Sequence, residues 1–303
     1  MRVCVSTSSF ATYSREPFEL LERAGCEIIV NPKGRALSAE EIVNLAEDCD
    51  GLLAGTEPLS AEVLARLPNL RAIARCGVGM DNVDLAAAEA RGISVTSTPY
   101  GPTRAVAELT VGLMLDLMRE VTRMDRELRG GTWKKRMGFL LEGKRVGLVG
   151  FGRIGRAVAE LLKPFGVQIA YADPNTRDEA YLRVELDELL AWADIVSLHC
   201  AMSAKSCPLL DAERLRHMKP GAWLVNACRG GLVDEEALYE LLASGHLAGA
   251  ALDCYVKEPY AGPLTGLPNV ILLPHVGSYA REGRTRMELD AAENLLASLG
   301  VRA

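Results

Sequence analysis

Three side chains with chemistry to offer stand in order in the second half of the chain: Arg229 in LVNACRGG, Glu258 in CYVKEPY and His275 in LLPHVGS. A guanidinium fork binds carboxylates through planar, charge-assisted hydrogen bonds. An imidazole gives and takes a proton near neutral pH, and a carboxylate beside it favours the protonated ring and fixes its orientation. Taken singly, each residue has a plainer reading. His275 could be a histidine packed beside a turn, Glu258 a solvated acid before a proline, and Arg229 a donor to turn carbonyls ahead of Gly230 and Gly231.

What precedes them in the chain favours the chemical reading. In KRVGLVGFGRIGRAVAELL an apolar run, 146–149, meets Gly150, Gly152 and Gly155 and then a helical pattern. This predicts a strand, a tight turn and a helix. Gly150 permits the turn, Gly152 lets backbone approach a pyrophosphate, and Gly155 lets helix and strand pack closely. The helix amino end, opened by Arg153 and Ile154, can then hold the anion. A bare GxGxxG says little, but a second strand, VQIAYAD, ends in Asp173, 18 residues beyond Gly155. An acid there can bond both ribose hydroxyls. It also disfavours a 2′-phosphate, so NAD is expected over NADP, although Arg177 stands close by.

The elements that must position these loops can be read from the alternation of short β-type runs with helical patterns, the signature of parallel sheets built from βαβ units. A first series runs through RVCVS, CEIIV, GLLAG, RAIAR and ISVTS and ends near Pro99. One long helix over about 103–128 follows, with apolar positions on more than one face. A second series begins at Lys144 and contains GLVG, QIAYA, DIVSLH, AWLVNA, AGAALD and NVILLP, enough strands for a doubly wound sheet. A last helix over 281–299 comes after that sheet is complete. The expected fold class is α/β in two lobes.

Composition narrows the class further. With 303 residues, 49% hydrophobic and 24% charged, the chain can bury two domain cores. A net charge of -6 leaves no basic footprint for nucleic acid or an anionic membrane surface. The start, MRVCVSTSSF, reads as a strand without an apolar signal region, and no apolar stretch is long enough to span a bilayer, so a cytoplasmic protein is expected. The eight cysteines, Cys4, Cys26, Cys49, Cys76, Cys200, Cys207, Cys228 and Cys254, form no CxxC pair. That pattern predicts reduced, mostly buried thiols and no metal site.

Over nearly its whole length the chain resembles the D-isomer-specific 2-hydroxyacid dehydrogenases, in particular the D-3-phosphoglycerate dehydrogenase-like branch. The segments that carry the resemblance are CGVGMDNVDL (76–85), AVAELTVGLML (105–115), VGLVGFGRIGRAVA (146–159), ADIVSLH (193–199), MKPGAWLVNACRGGLVDEEAL (218–238) and LLPHVGS (272–278). The resemblance implies a flavodoxin-like substrate lobe of residues 1–98 plus 279–303 and a Rossmann-type dinucleotide-binding lobe of residues 99–278. It implies NAD-dependent interconversion of a 2-oxo acid and a D-2-hydroxy acid, of the 3-phosphoglycerate/phosphohydroxypyruvate or the glyoxylate/hydroxypyruvate class, by a homodimer. It gives Arg229 the substrate carboxylate and carbonyl, His275 the proton that accompanies hydride transfer, and Glu258 the orientation of that histidine. The backbone of Cys76, Gly77, Val78 and Gly79 would cradle the substrate carboxylate, and His199, Ala227, Cys228 and Asp253 would line the cofactor, Asp253 beside the nicotinamide amide.

Departures from the family pattern bear on the substrate. The loop GTEPLS (55–60) offers Glu57 where many phosphoglycerate enzymes present an Arg-Ser pair, and an acid there would repel a phosphate. Arg75, Arg104 and the Lys134-Lys135-Arg136 run could supply compensating charge, although such a run is most often solvated. Pro102 stands where many relatives have Asn, and Ala201 replaces a usual proline. Only 28 residues follow His275, too few for the regulatory domain some phosphoglycerate dehydrogenases carry. Related formate dehydrogenases generally have Gln at the Glu258 position. Two further readings stand beside the enzyme: an NAD-sensing dehydrogenase-like scaffold, and regulation by oxidation of Cys228 or Cys76.

Overall fold

A computed structural model describes residues 1–202 and 208–301, so Cys207 and the last two residues of the expected substrate lobe lie outside the described residues. The chain divides into two units, Met1–Ala105 with Ser278–Ala303, and Val106–Gly277.

The first unit is built on five parallel strands, β1 (Arg2–Val5), β2 (Glu27–Val30), β3 (Gly51–Ala54), β4 (Ala72–Arg75) and β5 (Ser94–Ser97), in the order β2-β1-β3-β4-β5. That order is the flavodoxin-like arrangement expected of the substrate lobe. Helices α1 (Glu16–Arg23), α2 (Ala39–Ala46), α3 (Ala61–Ala65) and α4 (Leu85–Ala90) make the crossovers. Their starts are written locally. Ser38 and Glu41 form a reciprocal capping box at α2, Ser60 accepts from Val63 N at α3, and Asp84 accepts from Ala87 N at α4. The central strand β3 is buried along its whole length, as a strand covered on both faces must be. One face packs Leu52 and Ile73 against Ile42, Leu64 and Leu67.

The helical stretch after β5 is not one helix. It consists of α5 (Gly101–Arg119) and α6 (Val121–Arg129), with Glu120 between them in the left-handed region at φ 51°. Such a residue ends a helix because the hydrogen-bond ladder cannot pass through it. Asp116 closes the break, accepting from Thr122 N at 2.8 Å and from Thr122 Oγ1. The apolar periodicity that suggested continuity runs on through α6, yet α6 buries none of its residues.

The second unit holds seven parallel strands: β6 (Arg145–Val149), β7 (Gln168–Ala172), β8 (Leu182–Arg183), β9 (Ile195–Leu198), β10 (Trp223–Asn226), β11 (Gly249–Leu252) and β12 (Val270–Leu272). Their order, β12-β11-β10-β9-β6-β7-β8, is the Rossmann arrangement, with β6 and β9 adjacent where the winding reverses. Helices α7 (Arg153–Leu162), α8 (Leu186–Trp192), α9 (Ala212–His217) and α10 (Glu235–Ala243) belong to it. Strand β8 is a two-residue edge strand, too short to leave an alternating pattern in sequence. The two faces of the sheet carry separate cores, Leu198, Leu224 and Leu252 with Leu189, Leu215 and Leu238 on one, and Leu148, Val225 and Ala251 with Met114, Leu117 and Leu162 on the other.

The final helix, α11 (Arg281–Ser298), belongs to the first unit. Its Met287, Ala291, Ala292, Leu295 and Leu296 pack on Val3, Val5, Leu53, Ala72 and Ala74. Gly51 makes this close packing possible, since a Cβ there would meet Leu299 Cδ1 at 2.9 Å and Leu295 at 3.2 Å. Leu295 is fully buried, so Leu295→Ala is expected to lower stability by about 2–5 kcal/mol in urea titration. Val121→Ala, at a half-exposed position of α6, should stay within about 0.5 kcal/mol of the parent.

Candidate active site

One row of paired residues organises the second unit. Val149, Leu198, Asn226, Leu252 and Leu272 are aligned across β6, β9, β10, β11 and β12. Because all strands are parallel, the residues that follow this row emerge together at the carboxyl edge, and they are Gly150, His199, Ala227, Asp253 and Leu273.

The glycine loop starts at this edge. Gly150 has φ +92°, and a Cβ on it would lie 2.6 Å from Cys200 N. A Cβ on Gly155 would lie 2.3 Å from Gly150 O, so helix α7 packs directly on the turn. Gly152 is different, since an added Cβ there meets nothing within 4 Å. That open side, at the start of a helix with no side-chain cap, is where a pyrophosphate can be drawn against backbone amides. Arg153 and Ile154 open α7. The residues therefore fit a dinucleotide.

Asp173 follows β7 and does more than sequence suggested. Its carboxylate accepts from Phe151 N at 2.7 Å, Asn175 N at 2.8 Å and Thr176 N at 2.8 Å. Burial pushes its pKa up, but these backbone donors outweigh burial and hold it below the usual carboxylate value. The acid thus ties the end of β7 to the glycine loop.

His199 places its ring Nε2 2.9 Å from Ser197 Oγ. Burial pushes its pKa down to about 4, so it is neutral at physiological pH. Cys228 Sγ donates to Cys200 O at 2.8 Å, which brings the loops after β9 and β10 together. Arg229 Nη1 donates to Cys228 O at 2.7 Å, and the backbone turns into a short 3-10 segment, Gly230–Leu232. Gly230 must be glycine, because a Cβ there would lie 1.9 Å from the Tyr255 carbonyl carbon.

The Glu258–His275 pair is formed. His275 Nδ1 lies 3.0 and 2.9 Å from the two oxygens of Glu258, which also accepts from Tyr255 N at 3.1 Å. His275 occupies the left-handed region at φ 56°. A non-glycine residue holds that conformation only where its surroundings impose it. Here Asp253 imposes it: one oxygen accepts from Val276 N and the other from Gly277 N, both at 2.7 Å. Asp253 is 1% exposed, and burial raises its pKa above the ordinary value. Tyr255 Oη lies 3.0 Å from Leu252 O and 2.9 Å from Leu273 O, bracing β11 against the strand end that leads to His275. Sequence reading missed Tyr255 and Asn226. Asn226 has a local signal, a strand-end Asn followed by a turn, whereas the role of Tyr255 rests on contacts remote in sequence.

In the first unit, the loop 76–79 follows β4. Cys76 N donates to Ala54 O at 2.8 Å and Gly77 N to Thr98 Oγ1 at 2.8 Å, so both amides are used inside the fold. The Cys76 amide continues the β4 ladder to β3 for one residue more, and the Gly77 amide turns to the side chain of Thr98. Glu57 is likewise not a side chain presented to solvent. It is 1% exposed, with its carboxylate accepting from Gly55 N at 2.9 Å and from Ser6 Oγ. Burial pushes the Cys76 thiol up to about 12, which leaves no thiolate there to oxidise.

Among the described residues, no group of three or more His, Cys, Asp and Glu side chains could hold a metal ion, and no helix is long and apolar enough to cross a membrane.

Comparison with known proteins agrees with this geometry. Residues 111–277 match the family model described as D-isomer specific 2-hydroxyacid dehydrogenase, NAD binding domain. A glyoxylate reductase of Thermofilum pendens is 42% identical over 300 residues, 94% of this chain and 88% of that protein. A D-3-phosphoglycerate dehydrogenase of Mycobacterium tuberculosis is 39% identical over 86% of this chain, but only 51% of that protein is covered. The crystal structure of the TT0316 protein from Thermus thermophilus superposes with a TM-score of 0.92 at 42% identity, covering 99% of this chain and 97% of that one.

The depressed His199 pKa has a consequence for stability. Between pH 6.5 and about 4 the unfolded chain binds a proton that folded His199 refuses. The resulting destabilisation is absent above that window, grows as pH falls through it and is complete below it. Replacing His199 with Asn should therefore flatten the urea midpoint against pH over this range, and parallel curves for parent and variant would contradict the assignment.

Proposed function

Because the chain belongs to the D-isomer-specific 2-hydroxyacid dehydrogenase family, we propose that it reduces a small 2-oxo acid of the glyoxylate or hydroxypyruvate class to the D-2-hydroxy acid, with NADH, and runs the reverse oxidation. The observation that carries this reading is the Glu258–His275 pair at 2.9–3.0 Å. It sits one strand connection away from Arg229 and on the same strand edge as the glycine loop.

NADH supplies the hydride when bound, and Gly150, Gly152, Gly155 and Asp173 would hold it. The protein's own part is binding, orientation and one proton. Arg229 receives the substrate carboxylate and polarises the adjacent carbonyl. Glu258 occupies Nδ1 of His275, which leaves Nε2 to donate the proton that the carbonyl oxygen needs as it gains charge. In oxidation the same nitrogen takes the proton back.

Absorbance assays of NADH oxidation across glyoxylate, hydroxypyruvate, pyruvate and phosphohydroxypyruvate test the assignment. His275→Ala is expected to lower kcat by about 10²–10⁴-fold, the range for loss of a general acid, with NADH affinity kept. Turnover unaffected by that change would refute the role of His275.

A homodimer and a cytoplasmic setting are part of the same proposal. Support for the dimer comes from the segment after α6, where Trp133 is 81% and Met137 93% exposed, with Phe139 and Leu140 also largely uncovered. Apolar side chains grouped in this way favour a protein partner. The seven described cysteines are thiols, which suits a reducing compartment. Light scattering should give twice the 32.7 kDa chain mass, and Trp133→Asp should shift the population to monomer. A parent protein that is already monomeric would end this part of the proposal.

A further inference from the structure

We infer that Asn226 is the positioning residue for Arg229. The inference rests on the reading of Arg229 as the group that binds the substrate carboxylate. Asn226 ends the buried interior strand β10 and is 1% exposed. Its backbone stays in the sheet, accepting from Asp253 N at 2.9 Å. Its side chain leaves the ladder and holds the next loop at two points. Oδ1 accepts from Cys228 N at 3.1 Å, and Nδ2 donates to Arg229 O at 2.8 Å.

Those two bonds grip the residues on which the guanidinium hangs. The first closes a turn over Ala227, and the second fixes the Arg229 carbonyl, leaving Arg229 extended at φ -149° and ψ 136°. From there the side chain folds back to donate to Cys228 O. On the far side Gly230 is pressed against the Tyr255 backbone, and Tyr255 N in turn donates to Glu258. The loop is therefore clamped between Asn226 and the residue that also orients the Glu258–His275 pair. A displacement of about 1 Å in a positioning element can cost on the order of 10²-fold in rate.

The chemistry selects asparagine. A carbonyl oxygen must meet the Cys228 N–H, and an amide N–H must meet the Arg229 carbonyl. Turning the amide over would set oxygen against oxygen and hydrogen against hydrogen. Aspartate keeps the size and the acceptor for Cys228 N but replaces the donor with an oxygen facing the Arg229 carbonyl. Cys254 Sγ, 3.6 Å from Oδ1, adds only a weak donor. A buried amide that loses its partner is costly, so the loop would shift to find another.

A double-mutant cycle between Asn226 and Arg229 tests this, read as kcat/KM for glyoxylate and hydroxypyruvate, with NADH affinity by fluorescence and melting temperature recorded alongside. Asn226→Asp is expected to lower kcat/KM about 10- to 100-fold, mostly through KM for the 2-oxo acid, with NADH affinity retained. Because the effect passes through Arg229, adding Asn226→Asp to Arg229→Gln should cost no more than about twofold further. If Asn226→Asp fails to fold, Asn226→Ser carries the same cycle. Losses that multiply in the double variant, or an Asn226 variant with parental kinetics, would overturn the inference while the active parent upholds the functional reading. A parent that turns over none of the 2-oxo acids would overturn both.

Discussion

Everything at the candidate site depends on parallel register. Five neighbouring strands end on one row, so the first residue beyond each strand is a neighbour of the next. The backbone ladder extends one step past the row, with His199 N donating to Val149 O, Asp253 N to Asn226 O and Leu273 N to Leu252 O. The loops thus leave the sheet from a rigid edge, and residues far apart in sequence meet there without a dedicated framework of side chains. Parallel sheets covered on both faces supply this rigidity because their strands are almost wholly buried.

From that edge outward, side-chain-to-backbone hydrogen bonds take over. Asp173 holds the glycine loop, Asn226 holds the Arg229 loop, and Asp253 holds the His275 loop. Each is a short polar side chain at a strand end or one residue past it, where it can reach amides two or three residues on or on the neighbouring loop. For Asn226 and Asp253, each 1% exposed, burial makes these bonds strong in effect, because a buried polar group deprived of its partner has no water to turn to. Burial lowers the His199 pKa and raises that of Asp253.

The first unit follows the same logic with another outcome. A carboxylate in the loop after β3, Glu57, is turned inward to accept from Gly55 and Ser6, and Asn82 ties the loop after β4 to the carbonyls of Gly55 and Glu57. The acid shapes the loops beside the expected carboxylate cradle and is not displayed to solvent.

Much of this was legible in the residues alone. Alternating apolar runs and helical patterns gave both sheets, because strand and helix periodicities are local properties. The glycine spacing gave the dinucleotide turn, because only glycine tolerates the backbone angles and close approach required there. The order Arg229, Glu258, His275 gave the candidate chemistry. The break at Glu120, the inward turn of Glu57 and the use of the Cys76 and Gly77 amides within the fold left no such mark, since each depends on partners the local pattern does not name. Nor did sequence show that Asp253 holds the left-handed backbone at His275, or that Asn226 and Tyr255 clamp the Arg229 loop. Periodicity and turn chemistry belong to a few consecutive residues and can be read in order, whereas which carboxylate or amide meets which backbone group is decided only when strands distant in sequence come into register.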